Sequence, residues 1–569
     1  MKFNKALLSF VLASVVSMSL LAQSEALFES FDYRGENPLA SQLTKKQYQN
    51  PILPGFMPDP SICRKGDDYY IVNSTFSYFP GVPIWHSNDL VHWNQIGHVL
   101  NRPSQLKIGN AQMSGGVYAP DIKYNPHNNL FYMITTGTGY GGMCYYTTDD
   151  PKKQNWSDPI VLPGVYGIDP GLFFDDNGKA YIVNNDAPNG QADYDGHRAI
   201  WIRELDWKND KIIGEKKVII DKGVHPADKP IWIEGPHLYK IKGVYYLMAA
   251  EGGTSVNHSE VIFTTPDPMG PYTPMKINPI LTQRDLSANR KNPVTSTGHA
   301  DLVQTAAGDW FAIFLACRPY EDNLYNIGRE TFMLPVTWQD NQPIILPKGK
   351  EVPYLVKKSK EQVRLEKKYK SKGHNFFNPG PLWTTKGLTD RALFVRNPDD
   401  FYSIDQAGVL HLKTKNVSAL DRRNPAFIAQ RLASWLFTTT VTLDFKPTNV
   451  GEFAGLLLFQ NESNLMQIGK MLDSTTLKPI VVLDALNKGK SVCYHKVELP
   501  ASEANAKIQF RVKAQKVDSY VFSYSADKGK TWKQVGEPVD SRLLSTEMAS
   551  GFQGATVGVY ATSVFRKGK

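Results

Sequence analysis

Residues 169–183 read DPGLFFDDNGKAYIV: an acid and a proline, one further residue, an apolar run, a short turn, and a second apolar strand. A related plan, with the first residue variable and a proline usually following it, recurs four times: DPSICRKGDDYYIV from Asp59, APDIKYNPHNNLFYMI from Ala119, GPHLYKIKGVYYLM from Gly235 and HADLVQTAAGDWFAIF from His299. The five starts lie 60, 50, 66 and 64 residues apart. Between residues 50 and 345 there is almost no helical periodicity; short aromatic and β-branched runs alternate with Gly, Pro, Asn and Asp turns, which is an all-β pattern. Five repeats of this size, each able to supply several strands, predict a five-bladed β-propeller with one repeat per blade and four antiparallel strands in each.

If each repeat opens the innermost strand of its blade, the first repeat positions gather around one axis. Those positions are Asp59, Ala119, Asp169, Gly235 and His299. Glu234, in IWIEGPHLYKI (231–241), stands one place earlier in the fourth repeat. A one-residue step along a strand turns the side chain to the other face, so Glu234 approaches the centre from its own angle. Each Asp beside a Pro can also be read as a turn cap, and the Glu as a salt-bridged strand end. Three carboxylates and a histidine meeting at one end of a channel instead suggest acid–base chemistry. Paired carboxylates that flank a glycosidic bond serve either inversion or retention, depending on a separation that a sequence does not contain. Glu234 follows Trp232 and Ile233, an apolar setting that favours its protonated, donating form. Asp59 lies in GFMPDPS, a loop where an ionised carboxylate can orient and deprotonate water, and Asp169 is left as a third acid that raises the proton affinity of Glu234.

The first 26 residues have a basic start, an apolar stretch and small residues from Ala22 to Ala26, the pattern of a secretory signal peptide cleaved after Ala22 or Ala26. An uncleaved membrane anchor is the alternative, but no second apolar run is long enough to span a bilayer. The expectation is an exported protein, periplasmic or secreted, with no membrane association after cleavage. The 569-residue chain is too long for one core. Its net charge of +9 is concentrated in KKSKEQVRLEKKYKSKG, residues 357–373, a solvated connection rather than an aromatic-interleaved nucleic-acid surface. Cys63, Cys144, Cys317 and Cys493 are far apart, have no metal-ligand spacing, and sit in apolar runs that suit buried thiols.

From about Phe376 the strands lengthen and alternate, as in FTTTVTLDFKP and FAGLLLFQNES, the signature of a β-sandwich. The expected division is a signal peptide (1–26), a propeller (40–350), a basic linker (351–375) and a sandwich (376–569). SADKGKTW from Ser525 resembles the Asp-box turn of sialidases, but as a single copy in the sandwich it reads as a hairpin turn.

PGFMPDPSI, GIDPGLFFDDNGKAYIV, IEGPHLYK, TGHADLVQ and GRETFMLPVTW together resemble glycoside hydrolase family 43, in particular its β-xylosidase and α-L-arabinofuranosidase branch. The resemblance implies inversion at the sugar carbon, with Asp59 as general base, Asp169 as pKa modulator and Glu234 as general acid. It further implies Arg329 as a ligand for sugar hydroxyls and His299 as an organiser near the channel centre. Phe76 and Tyr118 would wall the pocket, Tyr118 standing where many relatives carry Trp. It implies a concanavalin A-like sandwich that packs on the propeller and can push a loop toward the site, the alternative being a separate carbohydrate-binding module. The expected activity is exo-acting release of α-L-arabinofuranose from plant hemicellulose or its oligosaccharides. The alternatives are a β-D-xylosidase, a bifunctional enzyme, or a non-catalytic sugar-binding propeller. No cofactor is expected to be required; the one metal considered is a structural calcium in the propeller channel, with His299 beside it.

Overall fold

The structure, a computed structural model, describes residues 24–568. The expected signal sequence lies almost wholly outside the described residues. No helix among them is long and apolar enough to cross a membrane.

Five antiparallel sheets follow one another in chain order, each with its innermost strand first. The innermost strands are Ser61–Lys65, Tyr118–Asn125, Ile168–Phe174, Glu234–Ile241 and Thr295–Gln304. Each contacts the next, and the last contacts the first, so the sheets form a ring. The Ile62 amide closes it by donating to the Asp301 carboxylate of the fifth blade at 2.9 Å. The second strands, such as Leu130–Thr136, are buried along almost their whole length because neighbouring blades cover both faces.

A feature shared by the five repeats is visible only in the backbone. The aligned first positions all adopt the left-handed region: Asp59 (φ 50°), Ala119 (29°), Asp169 (54°), Gly235 (56°) and His299 (51°). The pairing register shifts there in blades two to five. Such a bulge re-aims a side chain at the strand end, and the strain of a non-glycine residue in this region concentrates at functional sites. At the fourth position only glycine fits, because a Cβ on Gly235 would approach the His299 ring to 2.7 Å.

The C-terminal unit is a sandwich of an eight-stranded and a six-stranded sheet. In the strand Phe437–Asp444 buried and half-buried residues alternate, the period-2 pattern of a sheet with one face on a core. The sandwich also takes in the start of the chain. Glu25–Gly35 pairs with Leu410–Lys413 on one side and with Phe437–Asp444 on the other. The expected boundary at residue 376 therefore omitted a central strand, whose partners lie roughly 400 residues away and leave no local signal. The basic stretch is likewise corrected from a solvated connection: Lys360–Tyr369 is a helix capped by Ser359 and Gln362. Leu365 on its inner face is fully buried, and Lys368 and Tyr369 bind Asp67 of the first blade at 2.7 and 2.9 Å.

Propeller and sandwich share a continuous apolar core, and Tyr78–Phe79 of the propeller pairs with Phe394–Val395 of the sandwich. All four cysteines are free thiols, with Cys63, Cys144 and Cys317 buried. Ser525 and Asp527 organise a tight turn between Ser519–Ser525 and Lys533–Gln534, a hairpin as expected.

Candidate active site

The strand starts of the five blades open into a cavity of about 440 Å³ whose lining includes Asp59, Phe76, Tyr118, Asp169, Glu234, His299 and Arg329. Every residue singled out from the sequence is thus brought to one place. A larger depression of about 700 Å³, lined by residues such as Val492, His495 and Arg542, holds none of the repeat acids.

The three carboxylates occupy different surroundings. Asp59 is buried; its Oδ2 accepts from Ser74 Oγ at 2.6 Å and its Oδ1 from Arg329 Nη1 at 2.9 Å. Arg329 comes from the fifth blade and Asp59 precedes the first strand, so this ion pair also ties the ring together. In this position a blade-to-blade bridge is compatible with the expected role of Arg329 as a sugar ligand. Asp169 accepts one hydrogen bond, from the Gly235 amide at 3.1 Å, and burial followed by the Asp59 charge pushes its carboxyl up to about 7. Glu234 is held well above the usual carboxylate range, by burial first and then by the charges of Asp169 and Asp59. One carboxylate is therefore ion-paired, while burial and two acidic neighbours favour the protonated form of Glu234.

His299 lies 3.6 Å from Asp59 through Nδ1, and burial pushes it down to about 4, so it is neutral at pH 7. Phe76 and Tyr118 meet edge to face with centroids 5.9 Å apart.

Five lining residues were not anticipated as such: Ile168, Trp232, Gly253, Thr254 and Phe552. Phe552 belongs to the sandwich. It stacks on Phe76 at 6.1 Å, and the Arg329 guanidinium lies 5.5 Å from its ring. The Phe552 amide donates to Ser114 Oγ at 3.0 Å, and Ser114 in turn bonds Gln553. Behind it Gly554 lies on the propeller backbone, where a Cβ would strike the Ile327 carbonyl oxygen. The glycines of SGFQG were the available signal: they let a sandwich loop rest on the propeller and extend one aromatic over the pocket. Thr254 accepts from Arg329 Nη1 at 2.9 Å.

The channel beneath the pocket does not fit the calcium ion considered above. Asp121, His237 and Asp301, the third positions of their repeats, bring donor atoms within 4.8 Å of one another. Lys123 already supplies the positive charge, its ammonium 3.1 Å from Asp121 and 2.8 Å from Asp301. The remaining carboxylate lone pairs accept from Leu172 N (2.7 Å), Ile62 N (2.9 Å) and Tyr239 OH (2.7 Å), with Ser61 Oγ between the two acids. Calcium needs six to eight oxygen ligands, and the two acids here already hold the Lys123 ammonium and these neutral donors. His299 turns its Nδ1 toward Asp59, and its ring centroid lies 6.3 Å from that of His237.

Comparison with known proteins agrees with this architecture. The family model "Glycosyl hydrolases family 43" matches residues 48–343, and "Beta xylosidase C-terminal Concanavalin A-like domain" matches residues 384–569. A xylosidase/arabinosidase of Butyrivibrio fibrisolvens is 36% identical over 90% of this chain and 95% of its own length. The non-reducing end α-L-arabinofuranosidase BoGH43B of Bacteroides ovatus is 34% identical over 91% and 92%. The crystal structure of a GH43_12 retrieved from capybara gut metagenome superposes with a TM-score of 0.84 at 37% identity, covering 95% of this chain and all of that one. With ring, carboxylates and sandwich all accounted for, the chain belongs to family 43 of the glycosyl hydrolases and carries the concanavalin A-like C-terminal domain of its β-xylosidases.

Proposed function

We propose that this glycoside hydrolase is an exo-acting, inverting enzyme that releases α-L-arabinofuranose from the non-reducing ends of plant hemicellulose or its oligosaccharides. The observation that carries the reading is the division of labour among three acids in one cavity. Glu234, whose burial and acidic neighbours favour its protonated form, donates its proton to the glycosidic oxygen as the C–O bond breaks. Asp59, an acceptor with lone pairs left over from Ser74 and Arg329, takes a proton from the water that attacks the sugar carbon from the opposite face. Asp169 keeps the proton affinity of Glu234 high. Arg329 and His299 hold the terminal sugar and the base in register, and Phe76 and Tyr118 wall it. Exo action is supported by Phe552, which covers the pocket from the sandwich side so that a terminal sugar enters and a continuous chain does not pass through.

The second reading, a β-D-xylosidase or an enzyme with both activities, is favoured by the relatives named xylosidase/arabinosidase and beta-xylosidase. Initial rates on 4-nitrophenyl α-L-arabinofuranoside and β-D-xylopyranoside, with the anomer of the first product followed by NMR, separate the readings. The expected result is a faster arabinofuranoside reaction with inverted product; a faster xyloside reaction supports the second reading, and a retained anomer rejects the mechanism.

The export proposed from the N-terminus is compatible with cleavage after Ala22. Cleavage after Ala26 would remove the Glu25–Lys413 and Ala26–Leu412 pairs of the first sandwich strand. The mass of the mature protein recovered from the periplasmic or culture fraction distinguishes these positions.

A further inference from the structure

Trp232 stands two residues before Glu234, lines the same cavity, and keeps 37% of its surface exposed although it is one of the largest apolar side chains at the site. An indole is ordinarily buried, so one left open at a cavity mouth invites a partner. Its orientation is fixed from several sides. The Arg198 guanidinium lies over the ring, 5.1 Å from its centroid. Arg198 is itself held by Asn185 Oδ1, at 3.1 Å from Nε and 2.9 Å from Nη2. Asn185 is fully buried and donates to the Ile233 carbonyl at 2.6 Å, the peptide next to Glu234. It also pairs in register with Ile168, the residue before Asp169. The Trp232 amide donates to Gly196 O at 2.9 Å, with its backbone in the left-handed region (φ 53°). The ring is thus tied through Arg198 and Asn185 to the backbone carrying two of the three acids.

The position of this platform in the ring of blades decides what it can hold. Phe76, Arg329 and Phe552 gather on the side of Asp59, where the attacking water must be, and Tyr118 of the second blade packs edge to face on Phe76. Trp232 comes from the connection into the fourth blade, on the Glu234 side. A general acid must sit within hydrogen-bond reach of the oxygen that leaves, and the departing sugar is bonded to that oxygen. A group beside the acid and across from the base therefore meets the leaving sugar.

We propose that Trp232, backed by Arg198, is the aglycone platform of this enzyme, on which the sugar ring next to the scissile bond stacks its C–H face. The proposal rests on the glycosidase reading above and adds a specificity element to it: the platform favours substrates whose leaving group is a sugar ring over those whose leaving group has none. Because the indole is already clamped, little side-chain freedom is lost when the sugar arrives, and the contact is expressed in binding.

The test compares two substrates with the same terminal pentose, a short oligosaccharide and the corresponding glycosyl fluoride, in the wild type and in Trp232→Ala, Trp232→Phe and Arg198→Met, each first shown to melt as the wild type does. In Trp232→Ala, kcat/KM for the oligosaccharide is expected to fall at least about tenfold further than for the fluoride, chiefly through KM. Trp232→Phe restores most of this difference, and Arg198→Met gives a smaller loss with the same substrate preference. Equal losses on both substrates in an active enzyme would overturn the platform and leave the glycosidase reading intact. A wild type inactive on every pentoside would overturn that reading and the platform with it.

Discussion

Replacing Lys123 with Met removes the ammonium that, among the described residues, faces both Asp121 and Asp301. These acids are almost completely buried, and the lysine side chain is 17% exposed, so water offers little compensation. Removing one partner of a buried ion pair costs about 3–5 kcal/mol, and here one substitution strands two carboxylates. The lower end of that range is the expected loss at pH 7, because Ile62 N, Leu172 N and Tyr239 OH continue to donate. The pH dependence should also change sign. In the wild type both carboxyls are held below their ordinary range: burial opposes this, but Lys123 and His237 outweigh it. Their contribution is present above the unfolded-state values near pH 4 and is lost as pH falls. In the variant, burial and mutual repulsion raise them, so the folded state binds protons that the unfolded chain has released. Stability is then retained near pH 4 and lost as pH rises toward neutrality. Urea unfolding at pH 4, 5.5 and 7 measures both effects. A loss under about 1 kcal/mol at pH 7, with profiles that run parallel, would refute the view of Lys123 as the cation of the channel.

Asp59→Asn is expected to slow hydrolysis at least about a thousandfold on every substrate, whatever its leaving group, because the water then lacks its base; retention of a tenth of the wild-type rate would contradict this. Glu234→Gln should raise the melting temperature at pH 7 and leave it nearly unchanged at pH 4. The elevated carboxyl of Glu234 costs stability only above the pH at which the unfolded chain would ionise, and an equal difference at both pH values would argue against that elevation. Phe552→Ala should raise KM for pentosides several-fold while the propeller melts as before, since it removes a pocket wall contributed by the sandwich and none of the acids; an unchanged KM would separate the sandwich from the site.

The repeat was legible because its spacing and alternation are properties of contiguous residues. DPGLFF and GPHLYK predict strand starts on their own, and the position of Glu234 one residue ahead of its repeat followed from the two-residue period. The contributions that escaped prediction depend on pairing over long separations. Glu25–Gly35 looks like any amphipathic segment until it meets strands near residues 410 and 440. Phe552 is one exposed aromatic in SGFQG until Gly554 rests against Ile327. The helix at Lys360–Tyr369 had its signal in the sequence, with Ser359 and Gln362 three apart as a capping box, but the high charge of the stretch masked it. The left-handed first position of all five repeats is a property of the backbone alone, and a proline at the following position of four of them gives no hint of it.

The most direct test of the roles assigned to Glu234 and Asp59 is the dependence of each variant on the leaving group. A sugar leaves poorly without a proton, whereas dinitrophenolate is stable as an anion and needs none. Glu234→Gln should be severely slow on an arabino- or xylo-oligosaccharide and far less impaired on the matching dinitrophenyl glycoside, while Asp59→Asn should be equally slow on both. If Glu234→Gln were equally impaired on the two substrates, Glu234 would be a structural residue and another group would have to protonate the leaving oxygen.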